Sequence, residues 1–254
     1  MFSDCERDNL VKDKIPKIIH YCWFGGGSKP RLIMNCIKSW YKFCPDYKII
    51  EWNETNFPFK DFVFAEEAFN KGKYAFVADV ARFYVLKEMG GVYLDTDCEL
   101  IKPIDPKFLE KTAFFSFESE KTISTALIAS IKGGKWVGDM LDYYKDRHFI
   151  LPDGNLDTTP NPVELLVLAK IKKDNTYQDI PDYFNIYPSD YFSPMKFTKN
   201  TTAIHWFTYT WKPKENFFTK GKTAAKTITH SILGGKKALQ LRGWIRKTKS
   251  ALFG

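Results

Sequence analysis

The sequence predicts an α/β domain with a parallel, twisted sheet, on three observations. In the first hundred residues, apolar strand-like runs alternate with stretches of helical periodicity, and a β-helix-β rhythm implies parallel strands joined by right-handed crossovers. The first run, Lys17 to Phe24 (KIIHYCWF), is closed by Gly25-Gly26-Gly27, and the loop at the carboxyl end of a first strand is where open α/β sheets bind ligands. A second unit, residues 76–97, passes from a helix through a glycine pair into a buried strand that ends in two acids. At 254 residues the chain can bury one good core, and its 44% hydrophobic and 27% charged residues are ordinary for a globular protein rather than a disordered one.

The remaining elements follow in order. Pro30 opens a helix reaching about Phe43 that buries Leu32, Ile33, Cys36, Ile37 and Trp40, and Tyr47 to Trp52 is a second strand. Phe57 to Asn70 reads as a turn and a short helix. Beyond Pro103 and Pro106, Thr112 to Glu118 is a strand, Ile123 to Ile131 an apolar run, and Trp136 to Lys145 and Val163 to Lys173 are helices. Between those helices Leu151 to Pro162 (LPDGNLDTTPNP) is a long polar loop, assigned to the acceptor side of a site; such loops bind ligands or simply connect. Phe184 to Tyr187 is a late strand, and Ala203 to Trp211 (AIHWFTYTW) is a second apolar stretch that carries a histidine.

Residues 76–97 carry the chemistry. Phe76, Val77, Val80, Phe83, Tyr84 and Leu86 form an apolar helical stripe that leaves Asp79 and Arg82 on a shared face, and Gly90-Gly91 stops the helix. Val92, Tyr93 and Leu94 begin a strand, and alternation sends Asp95 and Asp97 to the same side with Thr96 turned away. Two carboxylates that close repel unless a proton or a cation lies between them. Hard oxygen ligands suit Mg²⁺ or Mn²⁺, ions that usually keep positions open for substrate phosphates.

Asp79-x-x-Arg82 followed by Gly90-Gly91-Val92-Tyr93-Leu94-Asp95-Thr96-Asp97 resembles the DXD signature of the sugar-nucleotide glycosyltransferases of family 32. That family includes bacterial capsule and lipopolysaccharide enzymes and Och1-type mannosyltransferases, and it shares the motif with clostridial glucosylating toxins. An Asp-x-Asp alone is weak; the 19-residue phrase is specific. The resemblance implies a GT-A, Rossmann-like nucleotide-binding domain over residues 15–211. It also implies a retaining hexosyl transfer from a nucleotide-diphosphate sugar, UDP-linked first and GDP-mannose second, to a glycan or lipid-linked glycan in surface polysaccharide synthesis. By the same resemblance Mn²⁺ or Mg²⁺ is held by Asp95, Asp97 and His205, with Asp95 touching either the ribose or the ion through water. Asp79 and Arg82 bind sugar hydroxyls. Trp23, at the end of an Ile-His-x-x-Trp-x-Gly phrase, stacks on the base, although on composition alone it reads equally as core. His205 and Trp211 match a late histidine followed by Ser-Trp, with Thr210 in place of the serine. Ser124 stands where many relatives have asparagine in Ile-Asn-Thr and is assigned to the donor sugar, which leaves the sugar specificity open.

Charge and cysteine content complete the reading. The net charge of +8 is a property of the end of the chain: residues 212–254 hold eleven Lys or Arg against one acid, Glu215, while the rest sums to −2. On a helical wheel Ala238, Leu241, Trp244, Ile245 and Leu252 cluster apart from Arg242, Arg246, Lys247 and Lys249, although Lys237, Leu239 and Phe253 break the pattern. A basic amphipathic extension suits an anionic leaflet, and a solvated or partner-bound segment is the plainer alternative. Residues 1–14 form a polar leader without the pattern of a signal peptide, and no apolar run is long enough to span a bilayer. The five cysteines show no disulfide or Cys-x-x-Cys spacing, so a reducing compartment is expected, with the enzyme cytoplasmic and peripheral on the inner face of the membrane. Charge confined to one end argues against nucleic acid as a partner. Two other classes compete: a haloacid-dehalogenase-like phosphohydrolase, whose Asp-x-Asp strand normally opens the domain, and a non-catalytic basic membrane-binding module.

Overall fold

The computed structural model describes residues 14–120, 122–159, 161, 171–194 and 197–208. In chain order it forms β1 (Ile18–Cys22), α1 (Arg31–Phe43), β2 (Lys48–Trp52), α2 (Val63–Asn70), α3 (Tyr74–Met89), β3 (Gly91–Leu94), β4 (Cys98–Leu100), β5 (Ala113–Phe117), β6 (Ile123–Ser130), α4 (Lys135–Tyr143), β7 (Gln178–Ile180), β8 (Phe184–Tyr187) and β9 (Ala203–His205). Seven strands make one sheet in the order β2-β1-β3-β6-β5-β8-β7, and β4 pairs with β9 in a small second sheet.

The sheet is mixed, with parallel pairs in its first part and again between β5 and β8. β1 pairs in parallel with β2 and with β3, as the β-helix-β rhythm predicts. β6, however, runs antiparallel to both β3 and β5. The connection from Phe117 to Ile123 is too short for a crossover, and a hairpin can join only antiparallel strands. The order β2-β1-β3 still creates a switch point: chain leaves the carboxyl ends of β1 and β3 in opposite directions and opens a crevice between them.

Apolar residues cover both faces of the sheet. On one, Phe76, Val77, Val80 and Phe83 of α3 pack with Phe64 of α2, Trp136 of α4 and Phe115 of β5. On the other, Ile33, Ile37 and Trp40 of α1 pack with Ile19, Val92, Leu94 and Phe114. No helix among the described residues is long and apolar enough to cross a membrane. The 1–14 leader (save Lys14), most of the helix expected at Val163–Lys173, and Thr210, Trp211 and the basic 212–254 extension lie outside the described residues; residues 171–173 are not helical.

The junction between α3 and β3 is fixed from below by His20. Gly90 and Gly91 have φ of +65° and +114°, and a Cβ on Gly91 would stand 2.7 Å from Ile18 O and 3.1 Å from His20 Nε2. His20 is fully buried; its Nδ1 accepts from Trp52 Nε1 at 3.1 Å, so its proton sits on Nε2 and is donated to Gly90 O at 2.9 Å. Burial is the main reason its pKa falls to about 4, and the Gly90 hydrogen bond opposes that only in part. The unfolded chain takes up this proton near pH 6.5 and the folded one only near 4, so stability is lost as pH falls through that window, at about 1.4 kcal/mol per unit or about 3 kcal/mol in all. Urea unfolding between pH 7 and 4.5 should show this slope in the wild type, and a His20→Gln variant should lose it even if its absolute stability is lower.

Candidate active site

The two acids reach one place by a different route from strand alternation. β3 ends at Leu94, and Asp95-Thr96-Asp97 forms a turn closed by Cys98 N donating to Asp95 O at 2.9 Å before β4 begins. Pairing of β4 with β9 sets Cys98 opposite His205, and Trp206 N donates to Asp97 O at 3.0 Å, which carries the imidazole to Asp97. α1 holds β4 from behind: Trp40 Nε1 donates to Cys98 O at 2.8 Å, and Leu100 N donates to Ser39 Oγ at 2.9 Å. The turn is thus braced by two elements distant in sequence, α1 and β9.

Each acid has its own counterweight. Arg82 is 4% exposed; its Nη2 donates to Asp79 Oδ1 at 2.7 Å and lies 3.5 Å from Asp95 Oδ1. Its Nη1 donates to Thr125 O at 2.8 Å and its Nε to Ala78 O at 3.1 Å, while Tyr93 OH donates to Asp95 Oδ1 at 3.0 Å. Burial works against the guanidinium charge, but Asp95 and Asp79 more than offset it, and its pKa is raised. Asp97 faces His205, with Nε2 3.2 Å from Oδ1, and accepts from Thr208 N at 2.8 Å and Thr208 Oγ at 2.9 Å. Burial pushes the Asp97 carboxyl up, yet the charge and hydrogen bond of His205, with the Thr208 donors, hold it well below the usual carboxylate range. Burial likewise depresses His205, and Asp97 reverses the sign and raises it. Arg82 beside Asp95 and His205 beside Asp97 thus place a cationic partner next to each carboxylate.

A divalent ion nevertheless fits. Asp95, Asp97 and His205 each offer a ligand atom, and the three atoms lie within 4.8 Å of one another. His205 Nδ1 is buried with no hydrogen-bond partner, which leaves part of the imidazole's coordinating capacity unused. Two carboxylates and one imidazole form a donor set suited to Mn²⁺ or Mg²⁺.

These groups line a cavity of about 670 Å³ at the switch point. Its walls include Trp23, Asp79, Arg82, Tyr93, Asp95, Asp97 and His205, with Thr125, Glu118, Thr208, Tyr74 and Asn161. Trp23 is half-buried; its Nε1 donates to Gly27 O at 2.6 Å, and Lys29 Nζ lies 5.4 Å from the ring centre. Ser124, assigned from the sequence to the donor sugar, is 2% exposed and absent from the cavity wall, and its Oγ accepts from Ser193 Oγ at 3.0 Å. Successive strand residues face opposite ways, and its neighbour Thr125 takes the cavity side.

Sequence reasoning passed over Glu118, Thr208 and Asn161. Glu118 sits just beyond the end of β5, and burial raises its carboxyl, with Asp95 adding to the rise and His205 opposing it. A strand-terminal acid and a hydroxyl three residues beyond His205 were visible signals; Asn161 lies in the loop assigned to the acceptor side, where nothing in the sequence sets it apart from its neighbours.

Residues 30–115 match the family described as the glycosyltransferase sugar-binding region containing DXD motif. The chain carries a DXD glycosyltransferase region. The DXD region so matched includes α3, both acids of the turn and the start of β5, and the resemblance read from Asp79 to Asp97 holds. The chain is 27% identical over 199 residues to Mannosyl phosphorylinositol ceramide synthase SUR1 of Saccharomyces cerevisiae, an alignment covering 72% of this chain and 50% of that protein. It is 30% identical over 127 residues to Inositol phosphoceramide mannosyltransferase 3 of Schizosaccharomyces pombe, covering 47% and 34%. The chain thus spans half or less of the length of these two curated relatives. A solved glycosyltransferase involved in the glycosylation of the major capsid of PBCV-1 is 12% identical, with a TM-score of 0.42 over 76% of this chain and 94% of the other.

Proposed function

We propose that this protein is a divalent-metal-dependent hexosyltransferase that takes a sugar from a nucleotide-diphosphate donor and passes it, with retention, to a glycan or lipid-linked glycan. The observation that carries this reading is the convergence, in one cavity at the switch point, of the Asp95-Thr96-Asp97 turn, His205 and the aromatic ring of Trp23. Asp95, Asp97 and His205 would hold Mn²⁺ or Mg²⁺, which when bound supplies charge neutralisation for a departing nucleoside diphosphate. Trp23 offers its face to the base, a contact worth roughly 1–3 kcal/mol. Asp79 accepts from sugar hydroxyls, and Arg82 fixes both Asp79 and Asp95 in place. No protein side chain is assigned as a nucleophile, so retention rests on a front-face reaction in which the leaving phosphate helps to deprotonate the acceptor. Mannosyl and inositol phosphoceramide stand in the names of two relatives, which favours mannose as the hexose, hence GDP-mannose beside the UDP-hexose expected from sequence, and a lipid-linked acceptor.

Thermal unfolding against nucleotides with and without Mn²⁺ tests this reading. A ligand bound only to the folded state at a hundred times its Kd stabilises by about 2.7 kcal/mol, which moves the midpoint measurably. A shift with UDP or GDP that requires Mn²⁺ is the expected result, and the base that gives it names the donor. Absence of any shift across the panel would remove the nucleotide-sugar reading and return the non-catalytic module to the front.

A further inference from the structure

Residues 147–159, which with Asn161 supply one wall of the cavity, are tied down by hydrogen bonds and an ion pair. Glu67 of α2 accepts from Phe149 N at 2.8 Å and Ile150 N at 3.0 Å, and lies 2.9 Å from His148 Nδ1. Arg147 pairs with Asp157 at 2.6 Å, both side chains largely buried. At the end of this loop Asn161 is 2% exposed and lines the cavity. Its Oδ1 accepts from Tyr144 OH, whereas its Nδ2 has no hydrogen-bond partner. A buried amide donor left unpaired is costly, and a held orientation with one end unsatisfied is what a recognition group looks like before its ligand arrives. Thr158 lines the same wall and adds a hydroxyl.

We propose that Asn161 is a specificity-determining residue whose Nδ2 donates to a sugar oxygen, with Tyr144 as the positioning residue that aims the amide. This rests on the glycosyltransferase reading and deepens it, because it names the group that reads the carbohydrate rather than the nucleotide. The ligand chemistry is a hydroxyl or ring oxygen of a hexose, supplied either by the donor sugar or by the acceptor.

The experiment is calorimetric binding to the full chain with Mn²⁺ present, using UDP, GDP, UDP-glucose, GDP-mannose and methyl α-mannoside, for wild type, Asn161→Ala and Tyr144→Phe. Affinity for the free nucleoside diphosphate is expected to be equal in all three. If the donor sugar is the partner, the gain of nucleotide sugar over free nucleotide falls about three- to tenfold in Asn161→Ala, the range of one hydrogen bond, and by less in Tyr144→Phe. If the acceptor is the partner, donor binding is unchanged and the glycoside, titrated onto the nucleotide-loaded protein, weakens by the same factor. Either result supports the assignment. Equal sugar affinities in variants that still bind the nucleotide would overturn it. Wild-type protein that binds no nucleotide with Mn²⁺ would instead overturn the glycosyltransferase reading beneath it. Should Asn161→Ala fail to fold, Tyr144→Phe alone decides, since it leaves the amide in place and alters only its aim.

Discussion

Asp97→Asn is expected to lower glycosyl transfer by about a thousandfold or more while leaving the fold intact. Asparagine keeps the shape of the side chain and can still accept from Thr208 N and Oγ, so the turn should survive. It removes the charge that a divalent ion needs and the partner that raises His205. Lewis-acid stabilisation of a leaving group contributes several kcal/mol, and about 4 kcal/mol corresponds to a thousandfold in rate. Two readings of one sample check this: initial transfer rates at saturating Mn²⁺, and the Mn²⁺-dependent shift of the unfolding midpoint with nucleotide. Both should disappear together. Activity within tenfold of wild type would count against Asp97 as a metal ligand.

The second large effect is on stability. Arg82→Met should destabilise the protein by about 3 kcal/mol, because the guanidinium is 4% exposed and balances two carboxylates at once. Removing one partner of a buried ion pair leaves the other uncompensated and typically costs 3–5 kcal/mol, and the lower end applies here since Asp95 retains 27% side-chain exposure. Thr125 O and Ala78 O lose donors as well. Urea unfolding at pH 7 measures the effect, and a loss below about 1 kcal/mol would show that the guanidinium is not what balances the two carboxylates.

Much of this site was legible in the chain. The helix of α3, its stop at Gly90 and the pairing of Asp79 with Arg82 follow from local rules: apolar spacing, a positive φ, and an i,i+3 separation on one helix face. β1, α1, β2 and β8 likewise sit within two residues of their expected bounds, since buried apolar runs between turn residues leave few alternatives. The family phrase from Asp79 to Asp97 pointed to His205 across more than a hundred residues of chain.

What the sequence could not reveal depends on partners distant in the chain. Asp95 and Asp97 converge through a turn, because Cys98 to Leu100 leaves the main sheet to pair with Ala203 to His205, and no local pattern announces that second sheet. Ser124 and Thr125 differ by one position in β6, and only the register against β3 and β5 decides which faces the cavity. The tautomer of buried His20 is set by Trp52 and Gly90, residues 32 and 70 positions away. Asn161 is held by Tyr144, just past the end of α4, and Phe149 and Ile150 by Glu67 of α2, contacts that no local pattern encodes. Sequence by itself determined the residue types, the helices and the chemistry they could support. Tertiary structure decided which atoms meet, because hydrogen-bond partners and burial depend on contacts that local periodicity does not encode.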